Sequence, residues 1–278
     1  MAQSIETTIA QGIEHTFTQL RKTTPLIHNV TNLVVMPFSA NALLAAGASP
    51  LMAHAEEELE DILALAQACI LNIGTLDPQW IKAMKTTLSL ANQLKIPVVL
   101  DPVGAGATPL RTYTAMALLE QGIIAILRGN AGEILALGGK TIKSKGVDSL
   151  YGTHAAVDAA QALAQQFKTT VVISGAEDII VDGTGKRPPY LLQNGDTLMT
   201  KIAGTGCIAS AINAACAAVC KDSYIAAITA MTMVGISGEQ AAAKSKGPGS
   251  FLPAFLDELY QLTTTTLLER IKGHELTT

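Results

Sequence analysis

Short apolar runs alternate with longer helix-patterned segments through most of the chain, and this alternation limits the folds open to it. Strands are expected at 49–53, 68–73, 97–101, 123–128 and 171–174. Helices are expected at 37–46, 56–67, 78–94, 111–120 and 153–167. Strand, helix and strand in repetition favour a mainly parallel sheet with helices on both faces, an α/β architecture. After residue 171 the pattern changes. Runs at 171–174, 179–181 and 190–193 are separated by the turn-rich segments GAED and DGTGKRPP, which predicts added antiparallel strands. The chain then reads as helix from 206 to 243 and again from 251 to 270. The polar stretches 138–152 and 244–250 read as surface loops. No repeat and no composition shift marks a boundary, so one domain over residues 1–278 is expected.

Composition removes several classes of function. Of 278 residues, 49% are hydrophobic and 15% charged, too apolar for a disordered chain. A formal charge of −4 and scattered lysines and arginines argue against a nucleic-acid binder, and 4% aromatic residues leave few stacking platforms. Four cysteines at unrelated spacings make no disulfide framework. Cys69 reads as strand core, and Cys216 and Cys220 as helix packing, with no histidine partner to complete a zinc site. The first 22 residues read as an amphipathic helix rather than a signal peptide. The apolar stretch 202–220 is interrupted by Gly204, Gly206, Ser210 and Asn213, so a buried helix is expected instead of a membrane span. A cytoplasmic protein follows as the expectation.

Ligands of open α/β sheets sit beyond the carboxyl ends of the strands, and polar or glycine-rich segments collect there. These are LNIGTL (71–76), VVLDPVGAGAT (98–108), ILRGNAGE (126–133) and VVISGAED (171–178). Asp101 ends an apolar run and is placed to hold Mg²⁺, or else to cap a turn. Glu133 is either a second carboxylate at the same cleft or the third helical residue of a capping box begun by Asn130. Arg128 suits phosphate oxygens or simply the surface, and Ser174 suits a nucleotide phosphate or a turn. No P-loop and no serine-hydrolase elbow occurs.

Gly204-Thr205-Gly206-Cys207 opens an apolar helix. Its first-turn N–H groups would bind an anion and stabilise charge during phosphoryl transfer. In that electropositive turn the Cys207 thiol is expected to have a lowered pKa. The competing reading is a small buried residue in a tightly packed helix.

Together, PLIHNVTNLVVMPFSANALLAAGASPLMAHAEEELEDI (25–62), DPVGAGAT, RGNAGE and GTGCIASAINA (204–214) resemble the hydroxyethylthiazole kinases of the ribokinase-like superfamily, over roughly residues 20 to 245. The resemblance implies ATP-dependent phosphorylation of the hydroxyl of 4-methyl-5-(2-hydroxyethyl)thiazole in thiamine salvage, with Mg²⁺. It implies substrate contacts from Met52, Gly204, Asn29 and Val30, and ATP contacts from Arg128, Ser174, Asp101 and Asn130. Asp101 and Glu133 become the Mg²⁺–phosphate pair, and Gly204, Thr205, Gly206 and Cys207 the catalytic turn. Ser174 stands where relatives often carry threonine. Cys207 stands where many ribokinase-like proteins carry an aspartate base. A homotrimer with sites near subunit boundaries is also implied. Two other readings stand beside it: an ATP-dependent NAD(P)H-hydrate dehydratase, which uses a related fold, and a non-catalytic nucleotide sensor. GTGC in place of an aspartate-ended turn counts against the first, and an intact Asp101, Glu133 and GTGC against the second.

Overall fold

In the computed structural model the described residues are 2–139 and 152–276. Residues 140–151, most of the loop expected at 138–152, lie outside them. The strands are β1 (Leu26–Val30), β2 (Ser49–Met52), β3 (Ala68–Asn72), β4 (Val98–Asp101), β5 (Ile126–Asn130), β6 (Thr170–Ser174), β7 (Asp178–Val181), β8 (Tyr190–Leu192) and β9 (Gly273–Glu275). They form one sheet in the order β2-β1-β3-β4-β5-β6-β7-β8-β9. Neighbours from β2 to β6 pair in parallel. From β6 onward pairing is antiparallel, as the turn-rich segments predict.

Helices α1 (Ala2–Thr23), α2 (Met36–Ala46), α3 (Leu59–Leu65), α4 (Pro78–Gln93), α5 (Pro109–Gln121), α6 (Ala131–Leu137), α7 (Val157–Phe167), α8 (Thr205–Val219), α9 (Ser223–Lys244), α10 (Pro248–Gln261) and α11 (Thr264–Arg270) cover the two faces. Side chains alternate along each strand. Ile70, Val99, Ile126 and Val172 pack against α1, α2, α8 and α9. Cys69, Leu71, Val98, Leu100 and Leu127 pack against the layer from α3 to α7. Burial on both faces explains why the strands read as unbroken apolar runs. In α1, Ile9, Ile13, Phe17 and Leu20 are buried at helical spacing, so the amphipathic reading of the N-terminus holds. Among the described residues no helix is long and apolar enough to cross a membrane.

Several boundaries differ from the sequence expectation, each for a local reason. The segment 206–243 is two helices, because the Asp222 carboxylate caps α9 by accepting from the N–H groups of Tyr224 and Ile225. Residues 251–270 divide likewise where Thr263 caps α11. A 3₁₀ turn at Glu56–Glu58 precedes the short α3, and another at Thr153–Ala156 precedes α7. Strand β1 went unpredicted because it carries His28 and Asn29 in its centre. Both are buried, and such polar residues break the apolar signal without breaking the strand.

Candidate functional site

The parallel strands bring their carboxyl ends to one edge. The register of β3 and β4 sets Asn72 beside Asp101, and that of β5 and β6 sets Asn130 beside Ser174. Asp101 is 1% exposed. Its Oδ2 accepts from Asn72 Nδ2 at 2.8 Å and from Ser210 Oγ at 2.8 Å. Ser210 lies on α8 one turn beyond Cys207, so the same helix that opens at GTGC also holds this carboxylate. Burial raises the Asp101 pKa, opposed by the Arg128 charge and these two hydrogen bonds.

Glu133 is fixed at both oxygens. Oε2 accepts from the Asn130 N–H at 2.7 Å, while Asn130 Oδ1 accepts from the Glu133 N–H at 2.9 Å, a reciprocal capping box. Oε1 accepts from the Gly104 N–H at 2.7 Å, joining α6 to the loop after β4. Capping therefore describes Asn130 and half of Glu133, whereas the Gly104 bond reaches toward Asp101. Burial, followed by the nearby Asp101 charge, pushes the Glu133 pKa up to about 7.

Arg128 is the cation of this edge. Its Nη2 donates to Ser174 Oγ at 2.6 Å, and Ser174 Oγ donates to the Gly129 carbonyl at 3.3 Å. Nη1 lies 2.9 Å from the position a Cβ on Gly206 would take, so Arg128 leans directly on the first turn of α8. Its Nε is buried with no partner. The Arg128 charge reaches Asp101, Glu133 and Asp178. Asp178 went unremarked in the sequence although it ends VVISGAED. It is buried, accepts from the Gly175 N–H at 3.1 Å, and is pushed by burial to a pKa of about 7.

Gly204 takes a left-handed conformation, φ +96°, and no side chain caps α8. The N–H groups of the first turn are left without intrahelical partners. Thr205 contributes no side chain here, since its hydroxyl donates back to the Met199 carbonyl at 3.1 Å. Cys207 departs from expectation more sharply. Burial and the neighbouring Asp101 charge push its thiol up to about 12, against the lowering expected from the helix terminus. Asn32 Nδ2 donates to Cys207 Sγ at 3.4 Å and to Asn72 Oδ1 at 2.8 Å. A buried chain of amides thus runs from Cys207 through Asn32 and Asn72 to Asp101. Asn32 and Asn72 escaped the sequence reading, although HNVTN and LNIGTL contain them.

The remaining substrate candidates divide. Met52 ends β2, half-buried, in register with Asn29. Asn29 Nδ2 donates to the Ile27 carbonyl at 2.7 Å, and its buried Oδ1 has no partner. Val30 points away from this group, into the core with Leu71, Ile73 and Trp80, leaving only its main chain toward the edge.

Among the described residues, no three His, Cys, Asp or Glu side chains form a metal cluster. Mg²⁺ commonly takes one or two carboxylates together with phosphate oxygens and water. Asp101, bonded through Oδ2 alone, fits a direct ligand. Glu133, with both oxygens accepting N–H bonds, fits an outer position acting through water.

The hydroxyethylthiazole kinase family model matches residues 17–265. A hydroxyethylthiazole kinase of Nitratidesulfovibrio vulgaris is 47% identical over 253 residues, covering 91% of this chain and 94% of that protein. The structure of a hydroxyethylthiazole kinase protein from Pyrococcus horikoshii superposes with a TM-score of 0.87 at 41% identity, covering 95% of this chain and 99% of that one. A ribokinase-like superfamily protein of Enterococcus faecalis shares the fold at 15% identity, with a TM-score of 0.60 over 85% of this chain and 88% of that one. With 249 of its residues inside the family model and its carboxyl-edge motifs assembled at one site, this chain belongs to the hydroxyethylthiazole kinase family.

Proposed function

We propose that this chain transfers the γ-phosphoryl group of ATP to the hydroxyl of 4-methyl-5-(2-hydroxyethyl)thiazole, a step of thiamine salvage. The observation that carries this reading is the convergence of Asp101, Arg128 and the uncapped first turn of α8 at one sheet edge. Phosphoryl transfer needs positioned positive charge and donors more than covalent chemistry from the protein. Arg128 and Ser174 face the ATP phosphates. The N–H groups of Gly204 to Cys207 receive the charge that develops on the transferred group. Asp101 and Glu133 would hold Mg²⁺, which when bound offsets phosphate charge. Asn130 serves the nucleotide indirectly, by fixing Glu133. Met52, Asn29 and the Val30 main chain bound the thiazole side. A homotrimer with its sites near subunit boundaries accompanies this reading. The exposed Leu33 and Val34 beside Asn32, and the unpaired outer edge of β2, support it. The purified protein, given the thiazole alcohol, ATP and Mg²⁺, is expected to yield a product heavier by one phosphoryl group in mass spectrometry. ADP without that product would overturn the assignment.

Cys207 acts here as a packing and orienting group. A thiol pushed to about 12 is protonated at neutral pH and cannot begin as a proton acceptor. A loose transition state places little demand for early proton removal from the alcohol. Cys207→Ala should therefore keep turnover within about tenfold of wild type. Cys207→Asp, which introduces an acceptor beside the Asn32 amide, should equal or exceed it. A loss beyond about 100-fold in the alanine variant, with ATP affinity and melting unchanged, would instead make the sulfur the proton acceptor.

A further inference from the structure

Arg111, in the first turn of α5, touches none of the groups assigned to phosphate, yet both terminal nitrogens of its guanidinium are hydrogen-bonded. Nη1 donates to the Val103 carbonyl at 2.6 Å and to the Ile73 carbonyl at 3.2 Å, and Nη2 donates to the Gly74 carbonyl at 2.8 Å. Among the described residues it makes no ion pair with a carboxylate. A cation that donates only to carbonyls ties backbone to backbone. Here the two backbones are the loops leaving β3 and β4, and each begins one residue beyond a group of the site. Ile73 follows Asn72, which donates to Asp101, and the Ile73 N–H donates to the Asp101 carbonyl at 3.2 Å. Val103 precedes Gly104, whose N–H donates to Glu133. Gly104 has φ +75°, and a Cβ there would lie 3.0 Å from Arg111 Cδ, so the arginine stem fills the space a side chain would need.

We propose that Arg111 is a positioning residue for the acidic pair, clamping the 102–104 and 73–74 loops so that Gly104 holds Glu133 and Asn72 holds Asp101. This rests on the reading of Asp101 and Glu133 as the Mg²⁺–phosphate carboxyls. The planar fork suits three carbonyls in two loops. A lysine ammonium, a single point on a flexible stem, cannot reach all three in the same geometry.

The test compares Arg111→Met, which keeps most of the stem, with Arg111→Lys and Glu133→Gln. Hydrogen–deuterium exchange without metal or nucleotide reads the clamp directly. In R111M the amides of 103–106 and 73–75 should exchange about tenfold faster or more, with β4 and the melting temperature little changed. Kinetics read its consequence. The Mg²⁺ concentration for half-maximal turnover should rise about 10- to 100-fold in R111M, the scale of lost outer partners at metal sites, with partial recovery in R111K. Because one arm of the clamp acts through Glu133 and the other through Asn72 and Asp101, the effect of R111M should be smaller, though not abolished, once E133Q is present. Unchanged loop exchange in R111M, or an undiminished effect in the E133Q background, overturns the proposal. If E133Q alone leaves the Mg²⁺ requirement unmoved, the metal reading of Glu133 fails while loop exchange still decides the clamp. Should R111M not fold, R111K carries the same measurements, with smaller shifts in the same directions.

Discussion

Asp101→Asn should lower turnover about 10²- to 10³-fold while the protein melts at the same temperature or higher. The amide oxygen can keep both hydrogen bonds now made to Oδ2, those from Asn72 and Ser210, so the local fold has no reason to change. Its NH₂ would then face the cleft, where a carboxylate oxygen is needed. The stability effect follows from burial, which raises the Asp101 pKa in the folded protein. A carboxyl with a raised folded pKa contributes stability that is fully present below its unfolded pKa and lost as pH rises through the folded value. Wild type therefore carries a penalty at neutral pH that the asparagine variant lacks. The difference in melting temperature between variant and wild type should widen as pH rises above the ordinary carboxylate range. Asp178, pushed by burial to about 7, imposes the same pH slope on either protein, whereas Glu133 loses in the variant the part of its rise that the Asp101 charge supplies. Turnover near wild type in a folded D101N protein would remove Asp101 from the reaction.

Penalties of this kind also explain which parts of the site were legible in the sequence. Asp101 and Glu133 stand out because a carboxyl at the end of an apolar run is costly and needs a reason. The glycines of GTGC stand out because they interrupt an otherwise apolar helix. Asn32 and Asn72 carry no such mark. They are neutral amides in loops, where asparagine is common, and only the register of β1, β3 and β4 joins them into a chain. Arg111 reads as an ordinary residue of a helix start until its three carbonyl partners are visible. The raised pKa of the Cys207 thiol is not legible in the sequence for a related reason. Helix position was apparent from sequence, but burial and the Asp101 charge are tertiary properties, and they dominate. At the level of the fold, the parallel strands were legible because both their faces are buried. Strand β9, only Gly273–Glu275, has no pattern of its own and exists through pairing with β8.

Gly204→Ala and Gly206→Ala, two substitutions in one short motif, should fail in different ways. Gly204 sits at φ +96°, and a Cβ there would fall 2.7 Å from Val35 Cγ1. Left-handed strain costs roughly 1–2 kcal/mol for a non-glycine residue, and the overpacking costs ~1–3 kcal/mol. A fall in melting temperature of roughly 5–15 °C is expected. Val35 directly precedes α2, so relief of the clash must move either that helix start or the α8 turn, and turnover should fall about 100-fold or more as the N–H groups lose their aim. Gly206 lies inside the first turn of α8, where alanine is favoured by ~1 kcal/mol. Its Cβ would meet Arg128 Nη1 at 2.9 Å, the far end of a flexible side chain that can yield. Stability should therefore stay within about 1 kcal/mol of wild type. The displaced guanidinium should instead raise KM for ATP, with KM for the thiazole alcohol little changed. Melting curves and both KM values for the two variants separate these effects. A G206A protein with wild-type KM for ATP would remove Arg128 from the phosphate site, and a G204A protein as stable and active as wild type would show that the turn does not depend on its left-handed glycine.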